Sequence, residues 1–250
     1  MSPDELRFLY EIDSKIEGFG YHSDPRIKEL RDARDPEADM PVVFECKPEQ
    51  ITKNANAIDK NTVAYVGPLE PGIFQKINEF SIEHIYLDFP ERPVLRQTIE
   101  IGGKTKEELL DELKAKGVNV SDFAKAMMEH ADFVASPEAQ NMDFIRLSVA
   151  DLNIQGTPTT DAVYARAQEL GLELVPPDAG PAYRLATLDQ TMEDWVYMGM
   201  EQITDPDGGP SVFNVGRNEG GLWLGCGWAR PGSEWDSGLV FVFRLRKSES

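Results

Sequence analysis

His84, Tyr86 and Asp88 stand at alternate positions of one apolar run, a spacing that puts an imidazole, a phenol and a carboxylate on one face of a β-strand. Such a set could move a proton or hold a small polar ligand. The next β-type run adds Arg96, Thr98 and Glu100 at the same period, so a polar cluster of His84, Tyr86, Asp88 and Arg96 is one candidate site. Charge pairing across neighbouring strands explains the same residues without a ligand. The second candidate is aromatic: Trp223, Trp228 and Trp235 are three of the four tryptophans, and Gly220, Gly221, Gly225 and Gly227 lie among them. Glycine beside tryptophan can leave indole faces open to carbohydrate or peptide, while core packing of a small sheet is the alternative.

Other motifs fall short of chemistry. His22, His84 and His130 sit in separate elements with no pair at metal-ligand spacing. Cys46 and Cys226 make neither a disulfide framework nor a zinc set, and both read as small buried apolar residues. Asp205-Pro206-Asp207-Gly208 opens like a calcium loop, but that register puts Pro210 where glycine is required and Gly216 where a bidentate glutamate belongs. Walker, dinucleotide, nucleophile-elbow and His-Glu-X-X-His patterns are missing from the sequence. No metal or cofactor is expected.

The elements that would position these residues begin with a helical segment over 1–40. Ser2 and Glu5 form a capping box around Pro3, Leu6, Leu9, Ile12 and Ile16 follow at helical spacing, and Gly18 and Gly20 close the run. A short charged helix starts at Asp24-Pro25. An α+β module over 41–134 then holds β-type runs at Val42–Phe44, Thr62–Val66, Ile82–Phe89 and Val94–Ile101, with a helix over Pro71–Phe80. One face of the third run is read as core and the His84 face as wet. Thr105 with Glu108, and then Ser121, cap two further helices. These contain no arginine, so they read as packing helices rather than a DNA-reading pair.

A polar linker is expected over 135–141. Beyond it, 142–250 reads as strands at Phe144–Val149, Leu172–Val175, Tyr183–Leu188, Trp195–Ile203, Ser211–Val215 with Leu222–Leu224, and Leu239–Leu245. One helix, capped by Thr160 and stopped by Gly171, interrupts them. Asp205–Gly209 and Arg217–Gly221 read as hairpin turns, because glycine supplies their positive φ. The expected fold is α+β in two small modules, the C-terminal one a mainly antiparallel sheet or half-open barrel with one helix.

The runs Ala64-Tyr65-Val66-Gly67-Pro68-Leu69, Ile99-Glu100-Ile101-Gly102-Gly103-Lys104, Leu170-Gly171-Leu172-Glu173-Leu174 and Gly221-Leu222-Trp223-Leu224 resemble those of a group of uncharacterised bacterial proteins. The resemblance covers most of residues 50–247. It implies a bacterial or mobile-element origin and carries over no activity and no site residue.

Acids number 44 against 25 Lys plus Arg, a formal net charge of −19, so a direct nucleic-acid interface is not expected; the same field would attract a basic protein partner, and solubility is the plainer reading of that charge. With no apolar run of membrane length and no signal-peptide pattern, the expected location is cytoplasmic. These features favour a non-enzymatic cytoplasmic protein-binding module with an acidic surface. An enzyme of unfamiliar type around His84, and a carbohydrate-binding module on Trp223, Trp228 and Trp235, are the alternatives.

Overall fold

Ser2 starts the first helix as its spacing predicts: its N–H donates to Glu5 Oε2 at 2.7 Å and its hydroxyl accepts from the Glu5 N–H at 3.2 Å. The computed structural model describes residues 2–15, 29 and 34–246. Helix α1 spans Pro3–Lys15 and buries Leu9 and Tyr10. Ile16, Gly18, Gly20, His22 and the Asp24-Pro25 start lie outside the described residues.

The chain divides into two units between Val94 and Leu95. In the first, α2 covers Pro36–Val43, so Val42, Val43 and Phe44 end a helix where the sequence suggested a strand. The Asp35 cap, accepting from the Ala38 N–H at 3.3 Å, and Pro36 in the first turn outweigh the β preference of two valines. Strands β1 (Ile51–Thr52), β2 (Ala64–Val66) and β3 (His84–Asp88) are parallel, and β4 (Arg92–Pro93) is antiparallel to β3. Helix α3 (Ile73–Glu79) connects β2 to β3, the crossover that a parallel pair requires. Ala64 and Val66 pack with Tyr10, Met40, Phe44 and Phe89, which puts Tyr65 on the opposite face of β2.

The second unit is one nine-stranded sheet. Its main path runs β5 (Leu95–Ile101), β7 (Gln140–Ser148), β13 (Val240–Leu245), β9 (Trp195–Met198), β11 (Pro210–Asn218), β12 (Gly221–Trp228) and β6 (Asn119–Val120). Short β8 (Leu172–Glu173) and β10 (Ile203–Thr204) pair with β13 and β11. Only β13 with β9 and β12 with β6 run parallel. Helices α4 (Lys106–Ala115), α5 (Asp122–Glu129), α6 (Thr160–Leu170) and α7 (Ala179–Ala186) complete it.

Three expectations are corrected here. The unit begins at β5 rather than at residue 142, because β5 holds a seven-residue antiparallel register with β7. The 135–141 stretch is tied down rather than free: Ser136 N–H donates to Asp178 Oδ2 at 2.7 Å, the Ser136 carbonyl accepts from Gly103, and Gln140 and Asn141 already belong to β7. Tyr183–Leu188 is not a strand, and residues 142–246 hold two helices rather than one. Ala179, Gly180, Tyr183 and Arg184 recur at helical spacing on the buried side of α7, and a Cβ on Gly180 would stand 2.8 Å from Phe213. Among the described residues no helix is long and apolar enough to cross a membrane.

Candidate binding pocket

Phe44, at the C-terminal cap of α2, organises a pocket in the N-terminal unit. Its ring stacks on His84 with centroids 4.8 Å apart and meets Tyr86 at 5.4 Å and Phe89 at 5.1 Å, while Tyr10 from α1 packs on Phe89 at 4.9 Å. The pocket volume is about 370 Å³. Aromatic pairs at these separations stabilise one another beyond simple burial, so the walls are pre-formed.

Polar groups ring this apolar floor. Arg7 reaches Glu45 Oε1 at 2.9 Å and Asp4 at 3.7 Å, and the Tyr10 hydroxyl donates to Asp39 at 2.6 Å. Burial, followed by the Asp39 hydrogen bond, raises the Tyr10 pKa. Burial lowers the His84 pKa below its ordinary 6.5, with Glu83 and Glu45 opposing, so the imidazole is neutral at pH 7. It makes no hydrogen bond to any described residue, leaving one ring nitrogen to donate and the other to accept.

The polar cluster read from the sequence is only half assembled. His84 and Tyr86 line the pocket; Asp88 is exposed and outside it, and Arg96 belongs to the other unit, where it pairs with Asp143 beside Thr98. Burial opposes, but the bonds from Thr98 and Arg96 hold the Asp143 carboxyl below its ordinary range. Nor is the His84 face wet at its core. Phe44 covers it, and no local pattern announced that, because the covering residue lies forty positions earlier.

The three tryptophans do not share a surface. Trp235 is 4% exposed, donates to Thr160 Oγ1 at 2.9 Å, and packs on Phe241 at 4.8 Å, which makes it core. Trp223 is half-buried and donates to Asn218 at 2.9 Å. Trp228 is 64% exposed. The β11–β12 register runs unbroken from Ser211↔Trp228 to Asn218↔Gly221, so the odd spacing of Trp223 and Trp228 puts them on opposite faces.

Asp205, from the calcium-like turn, accepts from Asp207 N–H (3.0 Å), Gly209 N–H (2.9 Å), the Ser211 hydroxyl (2.9 Å) and the Trp228 indole (3.1 Å). Burial would raise its pKa, and these donors lower it instead; the carboxylate holds a turn. Burial and then the Asp205 charge push the Cys226 thiol up to about 11, and burial raises Cys46. Among the described residues no cluster of three or more His, Cys, Asp or Glu is placed to hold a metal. No known protein family, curated protein or solved structure matches the chain.

Proposed function

We propose that the protein is a binding module rather than an enzyme, and that the N-terminal pocket takes the aromatic ring of a small uncharged molecule. The observation that carries this is Phe44 in simultaneous contact with His84, Tyr86 and Phe89 around a volume of about 370 Å³, within the roughly 300–1,000 Å³ of small-molecule sites. An aromatic guest gains stacking contact on those walls, and its polar substituent meets the neutral His84 imidazole. The catalytic alternative loses support from the same geometry, since Asp88 and Arg96 do not join His84.

Saturation-transfer NMR on the full chain with indole, phenol and cyclohexanol tests the reading. Transfer to an aromatic probe, weakened in His84→Ala, is the expected result; equal transfer to cyclohexanol, or none to either aromatic, would sink it. The net charge of −19 favours a second reading, a basic protein partner on the acidic surface. Capture from the source cell at low and high salt should then retain one basic protein only at low salt, and a captured set without basic proteins would dismiss it.

A further inference from the structure

Strand β5 ends the nine-stranded sheet. On one side β7 holds it in an unbroken register from Leu95↔Arg146 to Ile101↔Gln140, and among the described residues no strand pairs with its other side. The backbone of 95–101 makes no hydrogen bond to a described residue outside that ladder. Proteins commonly blunt an open edge with lysine, proline or a bulge, and this seven-residue strand has none of them. Leu95, Arg96, Gln97, Thr98 and Glu100 are all exposed, Leu95 at 53%.

The two faces of β5 differ. Leu95, Gln97, Ile99 and Ile101 share one of them. Ile99 and Ile101 are buried there and line a pocket of about 310 Å³ with Leu109 of α4 and with Ala182 and Leu185 of α7, whereas Leu95 stands in solvent. Arg96, Thr98 and Glu100 share the other face. Arg96 and Thr98 both bond to Asp143 on β7, and Glu100 has no ion pair or hydrogen bond to a described residue. Asp143 occupies only part of the Arg96 guanidinium, which has five N–H donors.

We propose that β5 pairs antiparallel with β5 of a second copy of this chain, about a two-fold axis at Thr98. Along one strand every second residue turns its N–H and C=O to the open edge, so a strand paired with itself must have its axis on a residue. Centring on Thr98 pairs the whole strand and sets Arg96 opposite Glu100 of the other copy, at both ends. It also sets exposed Leu95 opposite Ile101 of the other copy, on the face where Ile101 borders the 310 Å³ pocket. Shifted registers pair fewer residues and separate Arg96 from Glu100, so length, charge and apolar cover select the same register. The net charge of −19 repels two copies, but salt near 0.15 M screens that repulsion beyond about 8 Å while the facing pairs are in contact. This surface shares no residue with the Phe44 pocket, so either assignment can fail alone.

Sedimentation equilibrium of the full chain in about 0.15 M salt, from about 1 μM to 1 mM, tests it. The expected mass rises from one chain to two and stops, because a two-fold pair uses up the open edge of both strands. Glu100→Arg sets two arginines against each other at both ends, so dimerisation should weaken about tenfold or more while the melting temperature holds, Glu100 having no partner in the fold. Arg96→Glu should weaken it likewise. An equimolar mixture of the two variants should dimerise again, since every arginine of one chain then faces a glutamate of the other. Thr98→Cys, on the axis, should cross-link two copies under mild oxidation where the parent does not, a readout independent of how the charge variants fold. A chain that stays single at about 1 mM overturns the proposal and leaves the edge to a strand from a different protein. Indifference to Glu100→Arg, folded variants that do not pair in mixture, a mass that climbs past two chains, or a Thr98→Cys chain that resists cross-linking each overturn it as well.

Discussion

Strand β2 in the N-terminal unit is buried at all three of its residues, whereas β12 in the C-terminal unit is buried at two of eight. The first lies among parallel neighbours with apolar side chains on both faces, as parallel strands usually do. The second lies near a sheet edge, paired along its far side only by two-residue β6. Their packing differs accordingly. Around Phe44 a space forms because large rings from separate elements meet at angles that do not fill it; over β11 and β12 the room that glycine leaves is taken up by the side chains of Trp195, Asn214 and Tyr197. One region keeps a cavity between its rings, the other closes its glycines with neighbouring side chains.

The comparison is sharpest at the tryptophans. Trp235→Ala should cost about 3–5 kcal/mol in urea denaturation, since it empties a core volume and removes the indole bond to Thr160. Trp228→Ala should cost under about 1.5 kcal/mol, because little burial is lost along with one hydrogen bond to Asp205. Equal large losses would mean that the exposed face of β12 is core after all.

That contrast also shows how far the sequence could be read. The capping boxes at Ser2 and Glu5 and at Thr105 and Glu108, the Ser121 cap and the Gly171 stop all form, because each is decided within a few residues. The hairpin turns form too, with Gly208 at φ 79° and Gly221 at φ 105°. The cap of α6 falls one residue early, on Thr159, and Thr160 instead accepts the Trp235 indole. A partner seventy-five residues away decides that detail, and no window contains it.

The same reason hid the Phe44 pocket and the packing over the glycines. His84 and Tyr86 are legible as a strand face, but the valines before Phe44 favour a strand, and nothing in the sequence places its ring over them. Asn214 and Trp195 carried no motif. The one available signal was glycine at 225 and 227, alternating within an apolar strand, which marks close approach from above.

Glycine as a floor can be broken directly. Gly225→Ala puts a Cβ 2.6 Å from the Asn214 carboxamide oxygen, so the amide must move or the strand must give, at about 1–3 kcal/mol. Thermal unfolding reads the cost, and the Asn214 side-chain signal should shift in the same variant. Gly232→Ala, where no atom lies within 4 Å of the added carbon, is the control and should be close to neutral. If both changes are neutral, the Asn214 side chain over β12 has more room to move than the register implies.

The smallest effect belongs to His84 and tests the other half of the comparison, that the Phe44 pocket is truly dry. Burial lowers the folded pKa below 6.5 against the opposing charges of Glu83 and Glu45, with Arg7 acting in the same direction as burial. Above 6.5 the imidazole is neutral in both states and contributes no pH dependence. As pH falls through 6.5 the unfolded chain takes up the proton and the folded chain does not, so stability declines until the folded pKa is passed and then levels off. His84→Gln removes this titration and leaves His22 and His130 to cancel in the difference. Urea midpoints of parent and variant from about pH 7.5 to 5 should therefore differ by a constant above about 6.5 and converge or cross below it. Asp143 and Asp205 do not interfere, because their folded pKa values lie below the ordinary 3.8 and their stabilising contribution is lost only under that pH. A difference that stays flat throughout would mean the imidazole is as well hydrated in the folded protein as in the unfolded chain. In that case the rings around Phe44 bound an open cleft, and the contrast between the two units would rest on the glycine face alone.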